Sequence, residues 1–227
     1  MKNLYHGDCL KVMDELIKKG VKIDVSFTSP PYNRKRNDKY SYYNDTLKNW
    51  YEFNCSIIDR LLKLTDRHIF YNIQANYYNR SDVYKLIGKY HKEIRDIHIW
   101  EKTNPMPASG KSITNAVEYF IIFGKKSLKS NTTYTKNIVK SSVNSKMSKI
   151  HKAVMKQEIS DHFIYKYTKE GDTILDCFMG LGTTGVSCIK MSRNFIGIEL
   201  VKEYFMIAKE NITKEGDKNR VEKLLTI

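Results

Sequence analysis

Hydrophobic positions along the chain repeat with two different periods, one helical and one extended. Within 8–19, the apolar residues Leu10, Met13 and Leu16 recur three residues apart, which predicts an amphipathic helix. Over residues 21–28, apolar and polar residues instead alternate, which predicts a strand. The strand stops before two consecutive prolines, because proline has no N–H to donate to a neighbouring strand. The same reasoning predicts helices at 50–64, 81–90, 159–167, 183–191 and 202–212, and strands at 68–73, 94–100, 119–123, 173–176 and 195–199.

Strands that alternate with helices are typical of an α/β protein. Such a pattern favours an open, doubly wound, mostly parallel sheet with helices on both faces. At 227 residues the chain is long enough for one well-buried domain. We therefore expect a single α/β domain over 1–227.

The charge of the chain is strongly positive. A formal net charge of +14 favours polyanionic partners, of which nucleic acid is the commonest. A lysine- and asparagine-rich composition that reflects an AT-biased genome is the alternative explanation. Between 125 and 152 there are eight lysines and no acidic residue, among many Ser, Thr and Asn. This composition predicts a polar loop over about 125–150, either a DNA-facing insertion or a solvated segment without a partner.

Several features argue against a membrane segment, a signal peptide and a metal site. The longest apolar run, 119–123, is too short to cross a bilayer, and the start of the chain has no hydrophobic signal region. We therefore expect a cytoplasmic protein with no membrane partner. The cysteines show no CxxC spacing and the histidines no HxxxH or HExxH pairing, which predicts no metal. Burial as small hydrophobic side chains is expected instead for Cys9, Cys55, Cys177 and Cys188.

A glycine turn follows the strand at 173–176 and is a candidate cofactor site. Gly180 and Gly182 permit positive φ angles and a close approach of a ligand to the backbone. Glu199 ends the next strand, 17 residues past Gly182, near the spacing expected for an acid that accepts ribose hydroxyls. The turn lacks the third glycine of the pyrophosphate fingerprint, so it fits S-adenosylmethionine, which has no phosphate, better than a dinucleotide. An ordinary strand–turn–helix with Glu199 on the surface is the alternative.

The tetrapeptide Ser29-Pro30-Pro31-Tyr32 follows the strand at 21–28 and is the candidate catalytic motif. Ser29 Oγ and the Pro30 carbonyl are acceptors suited to both N–H groups of an exocyclic amine, which points the nitrogen lone pair at a methyl donor. The prolines stiffen that placement, and Tyr32 offers a face on which an extruded base can stack. An exposed turn or a proline-rich ligand is the alternative.

Taken in this order, Ser29-Pro30-Pro31-Tyr32 and Asp176-Cys177-Phe178-Met179-Gly180-Leu181-Gly182-Thr183-Thr184 resemble the motifs of amino-group DNA methyltransferases of the permuted (β) class. The family's cofactor motif usually reads Asp-Pro-Phe-x-Gly-Ser-Gly-Thr-Thr, so Cys177 replaces a proline and Leu181 a serine. Leu181 lacks a hydroxyl that could bond the cofactor, which bears on affinity more than on fold. By resemblance, the cofactor is S-adenosylmethionine, with Asp176 near its methionine moiety and Phe178 on its adenosine, beside Gly180, Gly182 and Thr183.

Two further segments resemble cofactor-contacting parts of the same family. His6-Gly7-Asp8-Cys9 resembles the segment whose aspartate contacts the cofactor adenine, although Asp8 also suits the N-cap of the first helix. His151 begins a segment that resembles the family's His-Pro-Ala-x-Phe-Pro, without either proline. The resemblance implies a Rossmann-like methyltransferase fold with a circularly permuted motif order. The catalytic half then spans about 1–124, the basic insertion about 125–150 and the cofactor half about 151–227.

Basic and amide side chains near the catalytic motif are candidate DNA contacts. Arg34, Lys35 and Arg36 follow closely after Tyr32, and guanidinium groups bind phosphate bidentately. The segment 100–107 resembles the family segment that closes over the target base, and Asn115 and Glu118 are typical of the same region. The candidate base or phosphate contacts in this part of the chain are Lys102, Asn104 and Lys111.

Together the motifs predict an S-adenosylmethionine-dependent DNA methyltransferase that flips a base from duplex DNA and methylates it in one in-line step. In the family, serine at the first motif position accompanies cytosine N4 most often, whereas Asp or Asn accompanies adenine N6, so Ser29 favours cytosine N4. Adenine N6 is the alternative, followed by an RNA base methyltransferase and by an inert DNA-binding partner. A second copy of the chain and a cognate restriction endonuclease are the candidate protein partners. The expected setting is a bacterial cytoplasm, with the gene belonging to the bacterium or to a phage or virus.

Overall fold

The computed structural model describes residues 2–34, 46–142 and 155–225. Over these ranges the chain forms one sheet flanked by helices. The strands are β1 (Lys2–His6), β2 (Ile23–Thr28), β3 (Thr65–Ile73), β4 (Ile94–Lys102), β5 (Val117–Gly124), β6 (Ile138–Ser141), β7 (Thr173–Asp176) and β8 (Asn194–Glu199). The helices are α1 (Cys9–Lys18), α2 (Trp50–Leu64), α3 (Arg80–Lys89), α4 (Gln157–Tyr167), α5 (Thr183–Lys190) and α6 (Lys202–Leu225).

The described strands lie side by side in the order β1-β8-β7-β2-β3-β5-β4-β6. β5 runs antiparallel to its neighbours β3 and β4, and the other pairs are parallel. The expected doubly wound, mostly parallel α/β sheet is thus confirmed. β2 and β7 are neighbours although they are far apart in sequence, with β3, β5, β4 and β6 on one side of this pair and β8 and β1 on the other. Ligands of open α/β sheets bind beyond the carboxyl ends of the strands at such a switch point.

Helices cover both faces of the sheet and enclose a hydrophobic core on each. On one face α1, α2 and α3 bury residues such as Met13 and Ile57. On the other face α4, α5 and α6 bury residues such as Phe163 and Ile212. The expected burial of the cysteines is confirmed for Cys9, Cys55, Cys177 and Cys188.

Two edge strands depart from the expectations drawn from the hydrophobic pattern. β1 was not expected, because its sequence mixes polar and apolar residues without a clear period, and it pairs in parallel with β8. β6 pairs in parallel with β4, so the expectation of a polar loop across all of 125–150 is wrong for Ile138–Ser141. Val139 packs against a core cluster, and Trp100 Nε1 donates a hydrogen bond to Ser141 Oγ at 2.9 Å. These two contacts hold a strand within an otherwise polar segment, of which 143–150 lies outside the described residues.

The last helix is longer than its hydrophobic pattern predicts. Tyr204, Ala208 and Ile212 are buried at a spacing of four residues, and the apolar repeat ends there. α6 nevertheless continues to Leu225, so the expected end near 212 is wrong. No proline interrupts the following turns, and Lys214 pairs with Glu210 one turn earlier at 2.6 Å, which supports a solvated helix.

Candidate active site

The catalytic and cofactor motifs meet because their strands are parallel neighbours. Val25 of β2 pairs with Ile174 of β7, so Thr28 and Asp176 end the two strands at the same edge of the sheet. Thr28 Oγ1 donates a hydrogen bond to Asp176 Oδ1 at 2.8 Å. The residue before Ser29 is therefore tied directly to the first residue of the glycine-turn motif.

Asp176 holds the start of that turn together. It is 5% exposed and also accepts from the Phe178 backbone N–H at 3.1 Å and from Thr184 Oγ1 at 2.6 Å. Burial raises the pKa of the Asp176 carboxyl, and the bonds from Thr184, Thr28 and Phe178 oppose that rise. Asp176 thereby links β2, the turn and the first residues of α5.

The two glycines of the turn have the backbone geometry that the sequence predicts. Gly180 has a φ of 54° and Gly182 a φ of 85°, both in the left-handed region that favours glycine. A Cβ on Gly182 would lie 3.1 Å from the Ala208 Cα and Cβ, so this glycine also lets α6 approach the turn. Gly182 caps α5, which Thr183 begins.

Glu199 ends β8 and faces the turn rather than solvent. Its side chain is 8% exposed, which rules out the alternative of a surface glutamate. Glu199 Oε2 accepts from the Gly180 N–H and Oε1 from the Val201 N–H, each at 2.8 Å. Burial raises the pKa of Glu199, while these two backbone bonds oppose the rise. The carboxylate is thus fixed beside the glycine turn with lone pairs remaining on both oxygens.

The first helix brings Asp8 and Cys9 to the same end of the sheet. The Gly7 N–H donates to the Glu199 carbonyl at 2.9 Å, which places the β1–α1 turn next to the end of β8. Asp8 Oδ1 accepts from the Lys11 N–H at 3.0 Å, so the predicted N-cap is confirmed. Cys9 is buried, and burial raises the pKa of its thiol to about 12. Cys9 is therefore a neutral thiol at this end of the sheet.

Phe178 packs against an aromatic residue that the sequence did not single out for this site. Its ring centroid lies 6.1 Å from that of Phe53, on α2. Phe178 is half-buried. An apolar wall therefore lines the turn on the side of α2.

The backbone of the catalytic motif is held by donors from two other elements. Trp50 Nε1, at the start of α2, donates to the Pro31 carbonyl at 2.7 Å. Asn76 Nδ2 and Asn79 Nδ2, in the loop after β3, both donate to the Tyr32 carbonyl at 2.8 Å. Three buried or half-buried donors thus fix the turn that carries Ser29.

The side chains of the motif enter a buried polar network made of Ser29, Tyr32, Asn72, Glu118 and Lys102. Tyr32 Oη donates toward Asn72 Oδ1 at 2.5 Å and toward Glu118 Oε2 at 2.9 Å. Ser29 Oγ lies 2.9 Å from Tyr32 Oη and 3.2 Å from Asn72 Oδ1. Lys102 Nζ pairs with Glu118 Oε1 at 2.5 Å. This network was not foreseen from the sequence, although Asn72 follows the apolar stretch of β3, a strand that neighbours β2.

Tyr32 is more enclosed than a free stacking platform. It is 7% exposed, and the Arg34 guanidinium carbon lies 5.3 Å from the centre of its ring. Arg34 Nη2 also donates to Gln74 Oε1 at 2.7 Å. Stacking of a base on this face of Tyr32 therefore requires Arg34 to move.

The other candidate DNA contacts differ in accessibility. Lys102 is committed to Glu118, and its side chain is only 10% exposed. Asn104 and Lys111, in the β4–β5 loop, are exposed at the same end of the sheet as the motif. Lys35, Arg36 and the cofactor candidate His151 lie outside the described residues.

The described ranges contain neither a membrane-spanning helix nor a cluster of metal-binding side chains. No helix there is long and apolar enough to cross a membrane. No group of three or more His, Cys, Asp or Glu side chains in the same ranges is arranged to hold a metal ion.

Known proteins resemble this chain over most of its length. The N6_N4_Mtase family model, described as DNA methylase, matches residues 23–210. Type II methyltransferase M2.DpnII of Streptococcus pneumoniae is 27% identical over 250 residues, covering 95% of this chain and 91% of that protein.

Solved structures show the same architecture. The M1.HpyAVI–SAM complex superposes with a TM-score of 0.70 at 26% identity, covering 93% of this chain and 99% of the other. The cytosine-N4-specific PvuII DNA methyltransferase gives a TM-score of 0.73 over 96% of this chain and 92% of the other, and at 19% identity it shows the fold alone. The chain therefore belongs to the N6_N4_Mtase family of DNA methylases, which use S-adenosylmethionine.

Proposed function

We propose that this DNA methyltransferase methylates the exocyclic N4 amine of cytosine in duplex DNA, by base flipping and direct in-line transfer. The observation that carries the proposal is the position of Ser29, whose Oγ is held by Tyr32 and Asn72 beside the strand that leads into the glycine turn. The order of β2 before β7 in the chain supports the permuted (β) class.

The residues around the glycine turn fit S-adenosylmethionine. The turn offers two glycines, an apolar wall with Phe178, and a buried Glu199 carboxylate with lone pairs suited to ribose hydroxyls. Asp8, Cys9 and Thr183 border the same end of the sheet, with Asp8 assigned to the adenine. When bound there, this cofactor supplies an electrophilic methyl group on a sulfonium.

The chain's own residues prepare the amine. The lone pair of an exocyclic amine is delocalised into its ring and is a poor nucleophile. Ser29 Oγ and the Pro30 carbonyl accept hydrogen bonds from the two N–H groups, which draws the nitrogen toward tetrahedral geometry and points its lone pair at the methyl group. The nitrogen–methyl bond forms as the sulfonium–methyl bond breaks, S-adenosylhomocysteine is the coproduct, and the nitrogen then loses one proton. These acceptors are held before the substrate arrives, so they need no reorganisation during the reaction.

The choice of base rests on Ser29. Cytosine and adenine present the same local edge, an amino donor beside a ring-nitrogen acceptor, so the pocket chemistry alone separates them weakly. Serine at this position favours cytosine N4, and adenine N6 is the alternative with the same fold and mechanism.

DNA approaches the carboxyl end of the sheet. The exposed Asn104 and Lys111, together with Arg34 once it is displaced from Tyr32, are the described candidates for contacts there. Tyr77 follows Asn76, which holds the motif, and its 87% exposed ring is available to stack on a base. The enzyme acts on cytoplasmic DNA beside a cognate restriction endonuclease. It extends its footprint by dimerising, so light scattering should give the mass of a dimer on or off DNA.

The decisive experiment identifies the product. Purified protein is incubated with mixed-sequence duplex DNA and S-adenosylmethionine, the DNA is digested to nucleosides, and these are measured by mass spectrometry. N4-methyldeoxycytidine that forms much more slowly with Ser29→Ala supports the proposal. N6-methyldeoxyadenosine overturns the choice of base, and methylation of RNA but not DNA overturns the substrate class.

A further inference from the structure

A buried ion pair lies behind the catalytic serine. Lys102 at the end of β4 and Glu118 near the start of β5 have side chains that are 10% and 5% exposed. A buried pair of this kind is often no more stabilising than apolar residues of similar volume, because desolvation of the charges offsets their attraction. A contribution to stability therefore does not explain why this pair is present. The hydrogen bond that Glu118 accepts from Tyr32 indicates a different role.

The acceptors of the network are fixed by their chemistry. Asn72 Nδ2 donates to the Tyr119 carbonyl at 3.3 Å, so Asn72 Oδ1 faces Tyr32 and Ser29 as an acceptor. The Glu118 carboxylate, paired with an ammonium, has no hydrogen to donate. Burial and, next, the Glu118 charge raise the pKa of Tyr32 well above its usual value of 10.0, so its hydroxyl keeps its proton.

The direction of each hydroxyl proton follows from these acceptors. Tyr32 has one proton, and a carboxylate is a stronger acceptor than a serine hydroxyl. Glu118 and Asn72 therefore take the Tyr32 proton, which leaves Tyr32 Oη and Asn72 Oδ1 to accept the proton of Ser29. With its hydrogen turned inward, Ser29 Oγ presents only lone pairs to the active site.

We infer that Glu118, through Tyr32, is a positioning residue that makes Ser29 a pure acceptor for the target amine. The inference rests on the proposed function. It explains how the Ser29 hydroxyl, which could either donate or accept a hydrogen bond, is restricted to accepting one from the target amine. Lys102 holds Glu118 in place by occupying its other oxygen. Lys102 thus acts within the network rather than as a DNA contact.

Glu118→Gln tests the inference with little change in shape. The glutamine amide can donate to Tyr32 Oη, which turns the Tyr32 proton wholly to Asn72 Oδ1. Both inward acceptors of the Ser29 proton are then taken, so that proton can face the amine. We expect the single-turnover methylation rate to fall by about 10- to 100-fold, the range for a lost hydrogen bond to a charged group. Calorimetry with S-adenosylmethionine and fluorescence anisotropy with duplex DNA should give unchanged affinities.

A double-mutant cycle with Ser29→Ala separates positioning from structural damage. Once the serine hydroxyl is absent, its polarity no longer matters, so Ser29→Ala with Glu118→Gln should be as slow as Ser29→Ala alone. Losses that multiply would overturn the inference. Glu210→Gln is the matched control, since Glu210 pairs with Lys214 at 2.6 Å on the exposed face of α6, and it should keep the wild-type rate.

A second variant covers loss of folding. If Glu118→Gln lowers the Tm because Lys102 is left unpaired, the cycle is repeated in Lys102→Met, which removes the buried ammonium. The same non-multiplying pattern with Ser29→Ala is expected, and multiplying losses would again overturn the inference. A wild type that methylates neither base overturns the proposed function and this inference with it. A methylating wild type whose losses multiply overturns the inference alone.

Discussion

Thr28 Oγ1 and Asp176 Oδ1 are joined by a 2.8 Å hydrogen bond between two buried side chains, 1% and 5% exposed. Thr28 immediately precedes Ser29, and Asp176 opens the glycine-turn motif. The spacing between Ser29 and the glycine turn is therefore set by one strand pair and one side-chain hydrogen bond. A substitution at Thr28 should therefore lower the affinity for the cofactor, although Thr28 belongs to the strand that leads into the catalytic motif.

Thr28→Val should weaken both stability and cofactor affinity. The substitution keeps the shape but removes the donor, leaving Asp176 with one bond fewer in a buried place. We expect the free energy of unfolding to fall by about 1–3 kcal/mol, measured by denaturant titration. Calorimetry should show weaker S-adenosylmethionine binding. Thr65→Val removes another buried bond of the same strand, from Thr65 Oγ1 to Ser26 Oγ at 2.7 Å, and should lower stability without changing cofactor affinity.

Gly182→Ala should abolish detectable cofactor binding. The new Cβ would meet the Ala208 backbone at 3.1–3.2 Å, and the φ of 85° is itself unfavourable for alanine. We expect a stability loss of about 2–4 kcal/mol, from left-handed strain of about 1–2 kcal/mol plus overpacking. Gly171→Ala isolates the strain, because Gly171 has a φ of 83° with no atom within 4 Å of its added Cβ. That variant should lose only the smaller amount in thermal unfolding and should bind cofactor normally.

Cofactor affinity should increase with pH through the titration of Glu199. Burial raises the pKa of this carboxyl above its usual 4.5, and the ionised form is the better acceptor for ribose hydroxyls. Calorimetry should therefore show that S-adenosylmethionine binds more tightly as pH rises from 4.5 through the raised pKa of Glu199. Glu199→Gln should bind weakly at every pH. An equally steep pH profile in that variant would assign the effect to another group.

The same shift sets the sign of a stability effect. A folded-state pKa raised above the unfolded value means that the folded chain binds the proton more tightly. The contribution of Glu199 to stability is therefore greatest below 4.5 and is lost as pH rises through its folded pKa. The free energy of unfolding of wild type minus that of Glu199→Gln should fall over this window.

Lys111→Ala should weaken DNA binding in a salt-dependent way. An exposed lysine in the β4–β5 loop that contacts one phosphate releases one counterion. Its removal should reduce the slope of log affinity against log salt by about 0.9, measured by fluorescence anisotropy. Lys18→Ala is the control, because Lys18 is exposed at the last turn of α1, which leads away from the active-site edge. An equal loss in both variants would indicate bulk charge rather than a contact.

Residue type and spacing predicted those features of the fold that depend on contacts between residues close in sequence. The helix opened by Asp8, the positive φ angles of Gly180 and Gly182, and the carboxylate at the end of β8 all follow from spacing and residue type. Each of these needs only one turn or one strand to be recognised.

Contacts across long sequence separations escaped prediction. Glu118 reaches Tyr32 across 86 residues, and a glutamate before an apolar strand gives no sign of which hydroxyl it will accept from. Tyr32 was expected to offer an open face, but Arg34 lies over its ring. β6 depends on Trp100 and on the edge of β4, neither of which a basic, polar segment reveals.

The pairing of β1 with β8 has a consequence for biosynthesis. Lys2 lies opposite Phe195 and His6 opposite Glu199, so β1 leaves the ribosome long before β8, the strand with which it pairs. At roughly 5–20 residues per second, that delay is about 10–40 s. β2 and β3 pair much earlier, which gives the nascent chain a catalytic strand before it has a complete cofactor site. Methylation competence therefore arises only after β8 has been synthesised, and a chain that stops before β8 carries the serine motif without a complete cofactor site.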